Sequence, residues 1–165
     1  MPNTLIQKCF SQFLLSLLLA ACGVLLSACQ SGPKVRIFPP SASLQELRVE
    51  PSGQWVLLLR LQNYSTVGMR MQMSSAKLSI DGLPPVMLAA SEPLMVATGS
   101  TEILELRVAP DASLQQRIDS ALQSRKGVGY QLSGEIVSLE PRERRDAFEF
   151  SSSLTPMPGL PGVLR

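Results

Sequence analysis

The chain has 165 residues, with 15 Lys and Arg against 13 Asp and Glu, three cysteines and no histidine. Lacking histidine, it has neither the commonest general base nor the commonest transition-metal ligand, which argues against most hydrolase chemistry, a bound metal or a cofactor. Near-balanced charge and only 5% aromatic residues argue against a nucleic-acid partner, which needs a basic face and often interleaved aromatics.

Lys8 is the only charge ahead of an apolar run from Phe13 to Leu26. That run falls short of the about 20 apolar residues of a bilayer span. A charged start, a short apolar centre and small residues at its close read as a secretory signal peptide. The closing residues, Leu26-Ser27-Ala28-Cys29, resemble the lipobox of bacterial lipoproteins. The resemblance implies a signal peptide over 1–28, cleavage between Ala28 and Cys29, and lipidation of Cys29 on its thiol and on its new amino group. Two or three acyl chains hold a protein stably where one does so only marginally, so the expected membrane partner is reached through Cys29. Gln30 stands where lipoproteins retained at the inner membrane carry Asp, which implies the outer membrane, facing the periplasm. With Cys9 and Cys22 removed and Cys29 lipidated, no thiol is left for a disulfide, a metal or a nucleophile. Removing Lys8 leaves 14 basic against 13 acidic residues.

Residues 29–43 read as a lipidated tether, with Gly32, Pro33, Pro39 and Pro40 around one extended piece, Val35 to Phe38. From Leu44 the period is two. Leu47 and Val49 alternate with Arg48 and Glu50 before a turn at Pro51-Ser52-Gly53. Trp55, Leu57, Leu59 and Leu61 make one face of the strongest strand. Val56 and Leu58 make its other face apolar for half its length, so this strand is expected to be central. After Asn63-Tyr64-Ser65, Met69, Met71 and Met73 alternate on odd positions, then Ala76, Leu78 and Ile80 on even ones. One residue of slip turns every side chain to the other face, so a bulge or bend is required across Ser74-Ser75. Asp81-Gly82 marks a turn. Val86 to Ala89, Leu94 to Ala97 and Thr101 to Val108 read as strands.

Between Asp111 and Gly127 the period lengthens, with Leu114, Ile118 and Leu122 four apart. Asp111 or Ser113 can cap the start of this amphipathic helix, and Gly127 can take the left-handed turn that ends it. It is expected to plug one end of the molecule. Tyr130 to Ile136 and Ala147 to Phe150 are the last strands expected. Residues 154–165, rich in Pro and Gly, read as an irregular, mobile tail. Short strands, one helix and no βαβ alternation predict a mostly β fold: a two-sheet antiparallel sandwich, fibronectin- or immunoglobulin-like, over residues 44–153.

Three stretches, Leu57 to Tyr64 (L-L-L-R-L-Q-N-Y), Ala76 to Gly82 (A-K-L-S-I-D-G) and Gly127 to Gly134 (G-V-G-Y-Q-L-S-G), give the chain a family likeness. In order and spacing it resembles the LEA14-like family, the late-embryogenesis-abundant group 2 proteins with the water-stress and hypersensitive-response domain. The likeness covers residues 44–150 and implies a fibronectin-type sandwich linked to desiccation and stress tolerance. It carries no catalytic residue. The family's usual Asn-Pro after the first long strand is Asn63-Tyr64 here, which frees φ at the turn and restores a donor.

The expected function is therefore non-enzymatic binding at the envelope in stress or desiccation. The alternative is an accessory lipoprotein of an envelope transport or assembly complex, with an envelope protein as partner. Met69, Met71 and Met73 suit core packing, which their strand period favours, or an adaptable apolar surface for such a partner. A small apolar ligand between the sheets is a third option. Glu102 with Glu105, and Glu135 with Glu140, are the carboxylate pairs an enzyme would have to use, and each reads better as a solvated face. Arg142, Arg144 and Arg145, interspersed with Glu140 and Glu143, read as a solvated turn.

Overall fold

Trp55, Leu57, Leu59 and Leu61 are each 0–1% exposed, and they make β2 (Trp55–Gln62) the middle of the core. Each such side chain taken from water contributes about 1.5–3 kcal/mol. The structure, a computed structural model, describes Gly32 and residues 34–90 and 92–165. The predicted signal peptide 1–28, with the cleavage and lipidation residues Ala28 and Cys29, lies outside them.

Strands β1 (Ser41–Val49) and β6 (Thr101–Val108) flank β2, and β9 (Val163–Leu164) continues the first sheet in the order β6-β2-β1-β9. The second sheet is built on β3 (Met69–Ile80) and β7 (Val128–Glu140), with β8 (Arg144–Leu154) beyond β7. Two short strands, β4 (Val86–Leu88) and β5 (Leu94–Val96), share the remaining edge of β3. Every pairing is antiparallel, and one core of buried residues joins both sheets. This is the expected sandwich, with β2 central as its two-sided apolar pattern requires.

The parity change in β3 resolves as required. Met73 pairs with Ile136 and Ser75 with Glu135, so Ser74 is the extra residue of a bulge. Met69, Met71 and Met73 before it and Ala76, Leu78 and Ile80 after it all reach the core, at 0–1% exposure. A close approach accompanies the bulge. A Cβ at Gly134 would lie 2.2 Å from the Ser75 carbonyl oxygen and 2.7 Å from Ala76 Cα, so only glycine fits opposite Ala76.

Helix α1 (Ala112–Ser124) starts at the expected cap, where the Asp111 carboxylate accepts from Leu114 N at 2.9 Å and Ser113 Oγ at 2.7 Å. Leu114, Ile118 and Ala121 are its buried face. Arg117 reaches Asp81 at 2.7 Å, and the Gln115 amide lies beside Gly53, so the helix bridges the end turns of both sheets. Its end differs from expectation. Arg125, at φ 55°, takes the left-handed position, while Gly127 lies where a Cβ would meet the Leu154 carbonyl at 3.2 Å. Close packing, rather than a left-handed turn, accounts for that glycine.

Two predicted boundaries move. The domain begins before residue 44: β1 starts at Ser41, Arg36 N donates to Thr66 Oγ1 at 2.8 Å, and Phe38 N to Ser65 Oγ at 2.9 Å. Hydroxyls of the β2–β3 turn thus dock what reads as the second half of the tether, and the compact unit starts at Val35. The expected mobile tail, 154–165, is corrected at both ends. Leu154 belongs to β8, and Val163 and Leu164 pair with Arg48 and Leu47 as β9 and are buried. A two-residue strand has no period to betray it.

Candidate functional site

Asn63, directly after β2, has no solvent exposure, and its side chain ties together the loops at that end of the sandwich. Its Oδ1 accepts from Ser65 N at 2.8 Å, closing the turn locally. Its Nδ2 lies 2.8 Å from the carbonyl oxygen of Val67, 3.1 Å from that of Val96 and 3.0 Å from that of Ala97. Asn63 N donates to Ser100 O at 3.0 Å. One amide therefore satisfies the β2–β3 turn and the β5–β6 loop together, so the turn holds without the proline. Tyr64 remains 51% exposed at the turn, its hydroxyl within 3.2 Å of Ser41 Oγ and donating to Gln62 Oε1 at 3.1 Å.

Two further buried polar side chains are held by partners distant in sequence. The Tyr130 hydroxyl donates to Leu44 O at 3.0 Å and accepts from Leu44 N at 3.2 Å, capping the β1 edge from the opposite sheet. Burial pushes this phenol's pKa above its ordinary value, although its bonds to Leu44 and Ser152 pull the other way. Glu46 is 1% exposed between two arginines, with Arg48 Nη2 at 2.6 Å and Arg165 Nη2 at 2.7 Å. Burial raises this carboxyl's pKa, and the hydrogen bonds and charges of Arg165 and Arg48 more than offset it, so the net shift is downward. The sequence pattern did not reveal this clamp, because Arg165 is 119 residues from its partner.

The residues considered for chemistry do not converge. Glu105 bonds Arg107 at 3.4 Å, and odd spacing puts Glu102 on the other side of β6. Glu135 meets Arg145 at 3.1 Å and Ser74 Oγ at 3.1 Å, whereas Glu140 meets Arg70 at 3.6 Å. The basic knot is divided, since Arg144 turns inward to Asp146 at 2.5 Å while Arg145 faces out. Met69, Met71 and Met73 are buried, which corrects the adaptable-surface option: the bulge leaves them on the core side. Among the described residues no group of three or more His, Cys, Asp or Glu is placed to hold a metal. No helix among them is long and apolar enough to cross a membrane.

What the fold offers instead is surface. Strand β6 pairs with β2 along all eight residues, Thr101 to Val108, and lies at the end of its sheet. No register shift interrupts it; Ile103 is exposed, and Leu104, Leu106 and Val108 are half-buried. Such an edge can accept an added strand, and Glu105 and Arg107 beside it restrain indiscriminate pairing. Each sheet-end strand is also approached from the opposite sheet, β8 by β1 and β6 by β4 and β5. A second feature is an open groove of about 720 Å³ between the end of α1, at Leu122 and Arg125, and the loop 155–162, where Met157 and Leu160 supply apolar lining.

No protein-family model and no curated protein matches the chain. Among solved structures, one described as a late embryogenesis abundant (LEA) candidate has 13% identity and TM-score 0.44, covering 98% of this chain and 91% of its own. An Arabidopsis thaliana protein solved in solution has 10% identity and TM-score 0.46, over 76% of this chain and 84% of its own. A protein from Archaeoglobus fulgidus has 11% identity and TM-score 0.36, over 74% and 98%. The first is a neighbour of the kind the sequence motifs resemble. At these values none carries a functional argument, and the sandwich rests on its own strand order and register.

Proposed function

We propose that this chain is a lipid-anchored, periplasm-facing β-sandwich that works by binding rather than catalysis, in envelope stress or desiccation tolerance. The observation that carries the anchor is Leu26-Ser27-Ala28-Cys29 closing a short apolar run. Support for binding comes from ionisable groups that pair off in separate places, and from the sheet edge and the groove on the surface. The stress role rests on the LEA14-like sequence likeness alone. Cys29→Ser in the producing cell tests the anchor. Processing should fail, leaving the precursor with its apolar run, whereas normal processing with full retention in the salt-washed membrane fraction overturns the anchor. For the stress role, deletion should lower survival of drying, and the purified protein should protect a client enzyme through a drying cycle. Neither effect appearing removes that role.

The position of β6 at the end of its sheet favours a second reading, an accessory lipoprotein of an envelope transport or assembly complex. Crosslinking in intact envelopes from a photoreactive residue at Ile103 tests it. A single stoichiometric partner supports the accessory role, and solitary protein removes it.

A further inference from the structure

Six of the nine large apolar side chains exposed among the described residues lie toward one end of the sandwich: Val35, Phe38, Tyr64, Met95, Ile103 and Leu139. Val35 and Phe38 flank the segment that bonds to Ser65 and Thr66, and Tyr64 stands in the same turn. The Met95 sulfur lies beside Gly68, Ile103 is the third residue of β6, and Leu139 is the extra residue of a second bulge opposite Arg70 and Met71. They come from both sheets and the connecting loops, forming a rim rather than a stripe on one face. The other three lie toward the opposite end, the α1 end, and are dispersed: Met87 opposite Lys77 at one edge of its sheet, Phe150 opposite Leu132 on β8, and Leu160 in the loop before β9.

The leash decides what meets this rim. Cys29 precedes Arg36, which bonds to the β2–β3 turn, by seven positions, and seven residues reach at most about 25 Å. The opposite end lies farther away by the length of β2, about 26 Å for eight residues. If Cys29 carries acyl chains, the apolar rim is the end held nearest the headgroups. We infer that this rim rests in the interfacial layer of the bilayer that holds Cys29, orienting the sandwich end-on with α1 and β9 away from the membrane. The inference depends on the lipid anchor proposed above.

Two physical points favour a bilayer over a protein as occupant. Backbone groups approaching an apolar phase must already be satisfied, and Asn63 does this for the carbonyls of Val67, Val96 and Ala97 in these loops. An amphipathic ring with a polar tip, such as Tyr64, favours the interface. The anchor supplies the affinity and holds the rim at high local concentration, so a few shallow side chains suffice to set orientation.

The test uses the purified mature lipoprotein in phosphatidylcholine vesicles with part of the lipid brominated on the acyl chain. The single native tryptophan, Trp55, is buried and serves as the blank. Tyr64→Trp and Phe38→Trp place independent reporters on the rim, and Leu160→Trp places one at the far end. The expected result is blue-shifted, bromolipid-quenched emission from both rim reporters and unquenched emission from Leu160→Trp. Vesicle-bound protein whose rim reporters stay unquenched, or whose three reporters are quenched alike, overturns the end-on rim and leaves the anchor standing. Failure of the unsubstituted lipoprotein to float with the vesicles overturns the anchor, and the inference with it.

Discussion

Replacing Gly134 by alanine reads directly how closely β3 and β7 approach at the bulge. The glycine takes no left-handed φ, so its backbone suits any residue. Were there room, alanine would stabilise the fold by about 0.4–1 kcal/mol, by restricting the unfolded chain and suiting a strand better. There is none. The added carbon would lie 2.2 Å from Ser75 O, 2.7 Å from Ala76 Cα and 2.9 Å from Ala76 Cβ. Two of those atoms are backbone, in a bulge that already sets the register of both halves of β3, so no side chain can swing aside. Relief requires one strand to move by about 1 Å, and overpacking of this kind costs about 3 kcal/mol or more. For a domain of this size that lowers Tm by about 10 °C. Thermal unfolding followed by far-UV circular dichroism is the assay, with Gly129→Ala as comparison. A Cβ at Gly129 meets only the carboxylate tip of Asp81, at 3.2 Å, and should shift Tm far less. An unchanged or raised Tm for Gly134→Ala would refute the close approach, because the sign itself separates the two cases.

Three more perturbations probe the polar side chains. Asn63→Ala strands the carbonyls of Val67, Val96 and Ala97 and the Ser65 amide, and should cost about 3 kcal/mol, seen as a lower urea midpoint with unchanged slope. Tyr130→Phe keeps the ring but leaves the Leu44 amide and carbonyl at the β1 edge without their partner, and should cost about 1–2 kcal/mol in the same assay. Glu46→Gln makes a prediction about pH. The folded carboxyl lies below its ordinary 4.5, because Arg165 and Arg48 outweigh burial. A depressed folded value adds stability above the unfolded pKa and loses it as pH falls through the folded one. The native chain should therefore outlast Glu46→Gln at neutral pH, and the gap should close as the pH falls through the lowered folded pKa. A gap that stays constant with pH shows the carboxylate charge to be irrelevant.

What was legible in the sequence is what local periodicity encodes. The jump from Met73 to Ala76 demanded an extra residue in β3, and Ser74 is it. Asp81 and Gly82 announced a turn and both adopt positive φ, closing it with a Leu83 N to Ile80 O bond at 2.9 Å. Features defined by distant partners were not legible. Nothing near Glu46 marks it as buried, because one of its two arginines comes from the far end of the sheet order. Val163 and Leu164 are too few to show alternation, and the prolines around them read as irregular chain. Arg36 and Phe38 looked like tether because the hydroxyls that bind them belong to a turn about 30 residues later. The methionines of β3 allowed two readings until the bulge placed them inside. For the surface, alternation distinguished inward from outward residues, but only topology put β6 at an edge and gathered the exposed apolar side chains at one end.

The joining of β9 to β1 has a bearing on how the chain is made. The first strand of the sandwich gains its second neighbour, and Glu46 its second arginine, only when residues 163–165 are present. A ribosome that has delivered everything up to Leu154 has released a sheet still missing β9, with Glu46 short of one countercharge. Completion of this sheet thus waits on residues 163–165, and β1 stands without its second neighbour until they arrive.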